Sequence, residues 1–236
     1  MQAMAFGIHL VCHYLADYYM QTAKIAAKKT QSYYYTFIHS VLYALPFLAM
    51  LGAFCFPPPL VWMSALAVLS HFAVDMAKCF AIKSLGAKIA RGAYLVDQLL
   101  HIGSLLALAL LFGRKLTGLW LFGSLEVYLP YLLVAVYAVM ALQPAYVSFK
   151  MLLSQRCDIA PQGQKDNLCY QLASLLVAAL ILLRQWIVLG LLFLAGIAIL
   201  LSKKMDRKIE NLWALAFVYG YNLIVAVAIF CGIARV

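Results

Sequence analysis

A chain of 236 residues that is 67% hydrophobic and only 11% charged has too little polar surface for a soluble protein of its size, which excludes soluble enzymes and soluble binding modules. At roughly 20 helical residues per crossing of a ~30 Å hydrocarbon layer, the length allows at most about nine crossings and leaves no room for a sizeable soluble domain. The net charge of +10 would suggest a nucleic-acid partner in a soluble protein, but cytoplasmic loops of membrane proteins collect Lys and Arg, so no nucleic acid is implied.

The first residues, MQAMAFGIHLVCHY, have neither a basic n-region nor a small-residue cleavage site and read as an uncleaved first span. Apolar runs set against charged punctuation predict an all-α, polytopic transmembrane helical bundle of eight spans, near residues 3–22, 33–56, 60–82, 94–112, 126–149, 168–184, 186–202 and 212–233. Pro57, Pro58 and Pro59 cannot continue a helix and mark a tight turn between the second and third spans. The stretch 116–149 is too long for one straight span and is interrupted by Glu126, Pro130 and Pro144; its LTGLWLFGS portion is expected along the interface or as a re-entrant piece. The chain thus divides into a four-span module, 1–112, and a second four-span module, 113–236, within one integrated membrane domain. The six cysteines form no C-x-x-C pair and read as small core residues.

Orientation follows from the basic residues. With the N-terminus outside, Lys24, Lys28 and Lys29, then Lys78, Lys83, Lys88 and Arg91, then Lys150, Arg156 and Lys165, and last Lys203, Lys204, Arg207 and Lys208 all fall inside. Only Arg114, Lys115, Arg184 and Arg235 fall outside, which supports N-out, C-out topology in the cell membrane. Tyr33, Tyr34 and Tyr35 are expected in an interfacial belt, Arg184 in an outer turn, and residues 203–211 as an anchor against anionic headgroups.

Ionisable side chains inside spans cost several kcal/mol each, so those present are functional candidates. The first span carries His13-x-x-x-Asp17, the third His71-x-x-x-Asp75 and the fourth Asp97-Gln98-x-x-His101, while the second contributes His39. A spacing of four stacks each pair on one helix face. Because spans one and three run inward and span four outward, every Asp lies nearer the cytoplasm and every His one turn deeper, so four helices deliver ligands to one layer. A shift of 58 positions superposes His13 on His71, Asp17 on Asp75, His39 on Asp97 and Tyr43 on His101, as a parallel duplication of the first two hairpins would.

Neutral imidazoles and carboxylates suit Zn²⁺ first, then Mn²⁺ or Fe²⁺. His13, Asp17, His39, His71, Asp75, Asp97 and His101 are the candidate ligands, enough for one metal with orienting carboxylates or for two metals. Gln21 and Gln98 are the orienting groups, and Asp17 and Asp75 the general bases if one carboxylate is free. The bland alternative is that each His–Asp pair satisfies itself between packed helices.

At HLVCHYLADYYMQ, His39, HFAVD and VDQLLH the chain resembles the bacterial inner-membrane family designated domain of unknown function 3307, over roughly residues 8–112. The resemblance implies membership and carries no mechanism. The repeated H-x-x-x-D is more loosely similar to membrane-bound metal-dependent hydrolases. The leading expectation is a metal-binding membrane protein acting as a hydrolase near the cytoplasmic leaflet on a lipid or lipid-linked substrate, with membrane lipids as its surroundings. The rivals are a divalent-metal or proton transporter, and an assembly or sensor subunit whose His/Asp cluster is structural. Protein partners are not indicated.

Overall fold

The computed structural model describes residues 2–116 and 126–128, with the isolated positions 131, 132, 135, 136, 139 and 147. The described residues are helical and contain no strand. The chain divides into two compact units, Met1–Leu132 and Leu133–Val236, and the candidate site lies wholly within the first. Most of the expected span at 126–149 and all of those at 168–184, 186–202 and 212–233, and with them the count of eight, the orientation and the roles given to Arg184 and 203–211, lie outside the described residues.

Helix α1, Gln2–Tyr14, passes without a break into a π-helical turn, Leu15–Tyr19, closed by a Met20 N–H to Leu15 C=O bond of 3.0 Å. The short α2, Ala23–Lys28, is capped by Thr22, whose hydroxyl accepts from the Ile25 N–H. Helix α3, Tyr33–Ala53, contains Pro46, which removes one helical N–H. Cys55 and Phe56 then take left-handed backbone angles (φ 58° and 53°), and Pro57 stands in front of α4, Pro58–Leu85, which starts on the proline ring favoured at a first helical position. The expected turn is present, but Cys55, Phe56 and Pro57 make it, and Pro58 and Pro59 are taken into the first turn of α4, where a missing N–H costs no helical bond. Gly86 ends α4 at φ 85°, ψ 170°, a region open essentially to glycine alone, and α5 follows over Ala90–Phe112.

Three helical stretches, Tyr33–Ala53, Pro58–Leu85 and Gly92–Leu116, are long and apolar enough to cross a membrane. They correspond to the expected spans at 33–56, 60–82 and 94–112. The first expected span, 3–22, is helical to Tyr19 but loses its regular α-geometry after Tyr14. Advanced by 58 positions, α3 would cover 91–111, within a residue of α5 at each end.

The bundle is turned inside out relative to a soluble protein. Trp62, Leu69, Phe80, Leu99 and Leu111 are exposed on its outside, whereas His13, His39, His71, Asp75, Asp97 and His101 are buried within it. In water this arrangement would leave apolar surface wet and strip charges of solvent; in hydrocarbon the outward face is satisfied and the polar groups partner each other. Along the bundle the interior has two halves. The end holding the start of α4 is packed with Met4, Leu60, Met63 and Phe47, and the end holding α2 contains the polar layer. Gln2 Nε2 donates to Leu110 C=O (3.1 Å), tying the start of α1 to the end of α5.

Because only glycine holds the Gly86 angles without strain, Gly86→Ala is expected to destabilise the bundle by about 1–3 kcal/mol. Thermal unfolding in detergent should show this as a lowered midpoint, whereas Gly52→Ala, where an added methyl meets nothing within 4 Å, should change it little.

Candidate metal centre

Four segments supply the polar layer: the π-helical turn gives Asp17, α3 gives His39 and Tyr43, α4 gives His71, Asp75 and Lys78, and α5 gives Asp97, Gln98 and His101. Its hub is His39 Nε2. That atom lies 3.0 Å from Asp17 Oδ1, 3.2 Å from His71 Nε2 and 3.4 Å from Asp75 Oδ2. His71 Nε2 is in turn 3.4 Å from Asp75 Oδ2, so His39, His71 and Asp75 present three donor atoms in a nearly equilateral triangle. Beside it, His101 Nε2 lies 3.2 Å from Asp97 Oδ1 and 3.8 Å from Asp75 Oδ1. Asp17, His39 and His71 form one buried group, and His71, Asp75 and His101 another, in which the ligand atoms all lie within 4.8 Å of one another, close enough to hold a metal ion.

Two ammonium groups enter the same layer. Lys29, just past α2, places Nζ 2.6 Å from Asp17 Oδ1, 3.1 Å from His39 Nε2 and 4.0 Å from Asp75 Oδ2. Lys78, one turn beyond Asp75, bridges Asp75 Oδ1 (2.9 Å) and Asp97 Oδ1 (2.8 Å). Three carboxylates against two ammonium groups leave one negative charge while the imidazoles are neutral, which a low-dielectric interior cannot leave unbalanced cheaply.

Ring stacking fixes the imidazoles. Tyr43 lies flat on His71 at 3.5 Å and 6°, and His101 stacks on His71 at 4.1 Å and 26°. The Nδ1 atoms of His39 and His71 have no hydrogen-bond partner among the described residues, so packing does the orienting that a hydrogen bond to the far nitrogen does in many metal sites. Gln98 Nε2 donates to Asp97 Oδ2 (3.1 Å) and, more weakly, to Asp17 Oδ2 (3.4 Å), and its Oε1 accepts from Tyr18 (3.0 Å). Gln21 donates to the Asp17 backbone carbonyl.

The H-x-x-x-D pairs behave differently from helix to helix. On α4 and α5 the pairs His71–Asp75 and Asp97–His101 meet as one helical turn requires. On the first helix the π-turn intervenes: Asp17 binds Lys29 and His39, while His13 Nδ1 is bonded to the Tyr43 hydroxyl (3.0 Å). His13 remains beside the cluster, its ring centroid 5.4 Å from that of His101. Sequence spacing ranked His39 behind the paired residues, whereas the geometry makes it the hub. Spacing also missed Lys29 and Lys78. Lys78 carried a readable signal, three residues after Asp75 on one helix face; Lys29 depends on how α2 folds back and carried none. His9 bonds Ala5 C=O and the Ser64 hydroxyl one turn away from the cluster.

The profile of the family described as protein of unknown function DUF3307 matches residues 5–125. The chain belongs to that family. The matched residues take in every side chain of the DUF3307 polar layer, from His13 to His101. No curated protein and no solved structure matches the chain.

Removing one partner of a buried pair costs about 3–5 kcal/mol because the other charge is stranded. Lys78→Met leaves three carboxylates against Lys29 alone, so its thermal midpoint should fall steeply, and adding Asp75→Asn should restore part of the loss. A double-mutant cycle measures the coupling; strictly additive effects would mean the two groups do not share a charge network.

Proposed function

We propose that this protein is a multi-pass cell-membrane hydrolase that uses one divalent metal ion, zinc first with manganese or iron as substitutes, and acts on a lipid or lipid-linked substrate. The triangle of His39 Nε2, His71 Nε2 and Asp75 Oδ2 carries the reading. Ligands 2.0–2.1 Å from a tetrahedral ion stand about 3.3–3.4 Å from each other, and the three edges measure 3.2, 3.4 and 3.4 Å. Two imidazoles and one carboxylate are also a donor set that leaves a fourth position for water.

A bound divalent ion would lower the pKa of a water toward neutrality. Asp17, 3.0 Å from His39 Nε2 and less enclosed than Asp75, is placed to accept the proton as general base. Lys78 holds Asp75 Oδ1, leaving Oδ2 for the triangle, and Gln98 steadies Asp17 and Asp97. His101 and Asp97 line the adjoining wall, and His13 fixes Tyr43 against His71. With both lysines charged, one divalent ion takes the layer from minus one to plus one, a charge that one anionic group neutralises. Two ions would take it to plus three, so the lysines argue for a single metal rather than a pair. In this reading the α2 end faces the cytoplasm, where the positive-inside rule puts Lys24, Lys28, Lys83 and Lys88.

The transporter alternative draws on the His9–Ser64 contact (3.3 Å) and the His13–Tyr43 bond, which extend the polar column toward the far end. The buried Leu60 and Met63 stop that column, which favours chemistry at a one-sided pocket over passage. A structural cluster in an assembly or sensor subunit would need no ion at all.

Elemental analysis of gently purified protein separates these readings. One metal equivalent is expected in the wild type and in His13→Ala, and loss in His39→Ala, His71→Ala and Asp75→Ala. A wild type without metal would defeat the hydrolase, and flux of Zn²⁺ or protons in proteoliposomes would reinstate the transporter.

A further inference from the structure

We propose that the group admitted to this centre is the phosphate of an anionic lipid headgroup, received between Lys29 and Lys78 at the α2 end of the bundle. The inference rests on the metal-hydrolase reading and names the substrate class which that reading leaves open.

Access decides the first step. The far end is sealed by Leu60 and Met63, which have no exposed surface, and by Met4. Within the polar layer, His39, His71 and Asp75 side chains are at most 2% exposed, whereas Lys29 is 11%, Lys78 9% and Asp17 5% exposed. Whatever reaches the triangle therefore passes two ammonium groups.

Charge decides the second. Every acid among residues 2–116 lies in the layer itself, as Asp17, Asp75 and Asp97. The rim around the entrance is basic: Lys24, Lys28, Lys83 and Lys88 are exposed, with Lys28 over the Tyr35 ring and Lys83 over the Tyr33 ring. A cationic headgroup is repelled by this rim, and a neutral one leaves the plus-one charge of the loaded centre unbalanced. A phosphate supplies the missing negative charge and several acceptor oxygens, so Lys29 and Lys78, which approach opposite oxygens of Asp75, can both donate to it. Its source is a lipid because the walls beside the entrance are apolar and exposed, including Tyr34, Phe80 and Leu85. Acyl chains stay against those side chains in the bilayer while the headgroup reaches the lysines.

The test uses the full chain, loaded with its metal, in phosphatidylcholine nanodiscs, titrated with phosphatidic acid and separately with glycerol phosphate. Phosphatidic acid should bind saturably and persist in about 1 M salt, where a ~3 Å Debye length removes the contribution of the rim. Lys29→Gln should weaken it about tenfold per metal-loaded site, the loss of one charge-assisted hydrogen bond, with metal content measured on the same sample and with recovery in Lys29→Arg. Lys24→Gln and Lys28→Gln should alter only the low-salt affinity. Loaded wild type that does not prefer phosphatidic acid to phosphatidylcholine overturns the proposal without recourse to any variant. Equal affinity in Lys29→Gln at high salt overturns the role of that lysine, and glycerol phosphate binding as tightly as phosphatidic acid overturns the lipid as source. A wild type without metal defeats the hydrolase reading and, with the plus-one charge gone, this proposal with it, whereas a metal-loaded wild type lacking the preference defeats this proposal alone.

Discussion

Three carboxylates enclosed in a bundle with an apolar exterior must find opposite charge nearby, and that requirement organises this protein. Each carboxylate removed from water loses several kcal/mol of hydration unless a cation or hydrogen-bond donors replace it. Asp17, Asp75 and Asp97 are met by Lys29, Lys78, Gln98 and three imidazoles, His39 from α3, His71 from α4 and His101 from α5. Helix packing and site assembly are thus one event: the helices cannot come together without the layer, and the layer cannot exist unless all of them contribute.

The same requirement gives the site its direction. Apolar packing fills one half of the bundle, so compensation has to come from the other, through α2 and the last turns of α4. Lys29 reaches inward from a short helix that buries only Ile25, a light attachment for a residue holding two site groups. Lys78 belongs to the long α4 and is fixed by its register with Asp75. One counter-charge is therefore built into the scaffold and the other is delivered by a peripheral segment.

Much of this was legible in the sequence because hydrocarbon imposes simple rules. Apolar runs located α3, α4 and α5 to within a few residues, and the triple proline located the turn before α4. The spacing of four in His71–Asp75 and Asp97–His101 translated directly into contacts, since both lie on regular helix. It failed at His13–Asp17, where a π-turn swings Asp17 toward α3; such a turn follows from tertiary demand and leaves no periodic trace. The prominence of His39 was hidden because a lone residue has no spacing to read, and Lys29 because loop geometry brings it in.

Since the half of the bundle around the start of α4 is mainly apolar inside, with His9 and Ser64 as a single buried polar contact, it is also where most of a voltage across a membrane would fall. Met4, Phe47, Leu60 and Met63 would act as the insulating plate of a capacitor, and the half carrying Lys29 and Lys78 would stay close to the potential of the solution on its own side. A charge worth ~2.3 kcal/mol per 100 mV over the full membrane would cross little of that drop on its way to His39. Binding of the proposed ion from that side would in that sense be electrically quiet, indifferent to how strongly a membrane around the bundle is energised.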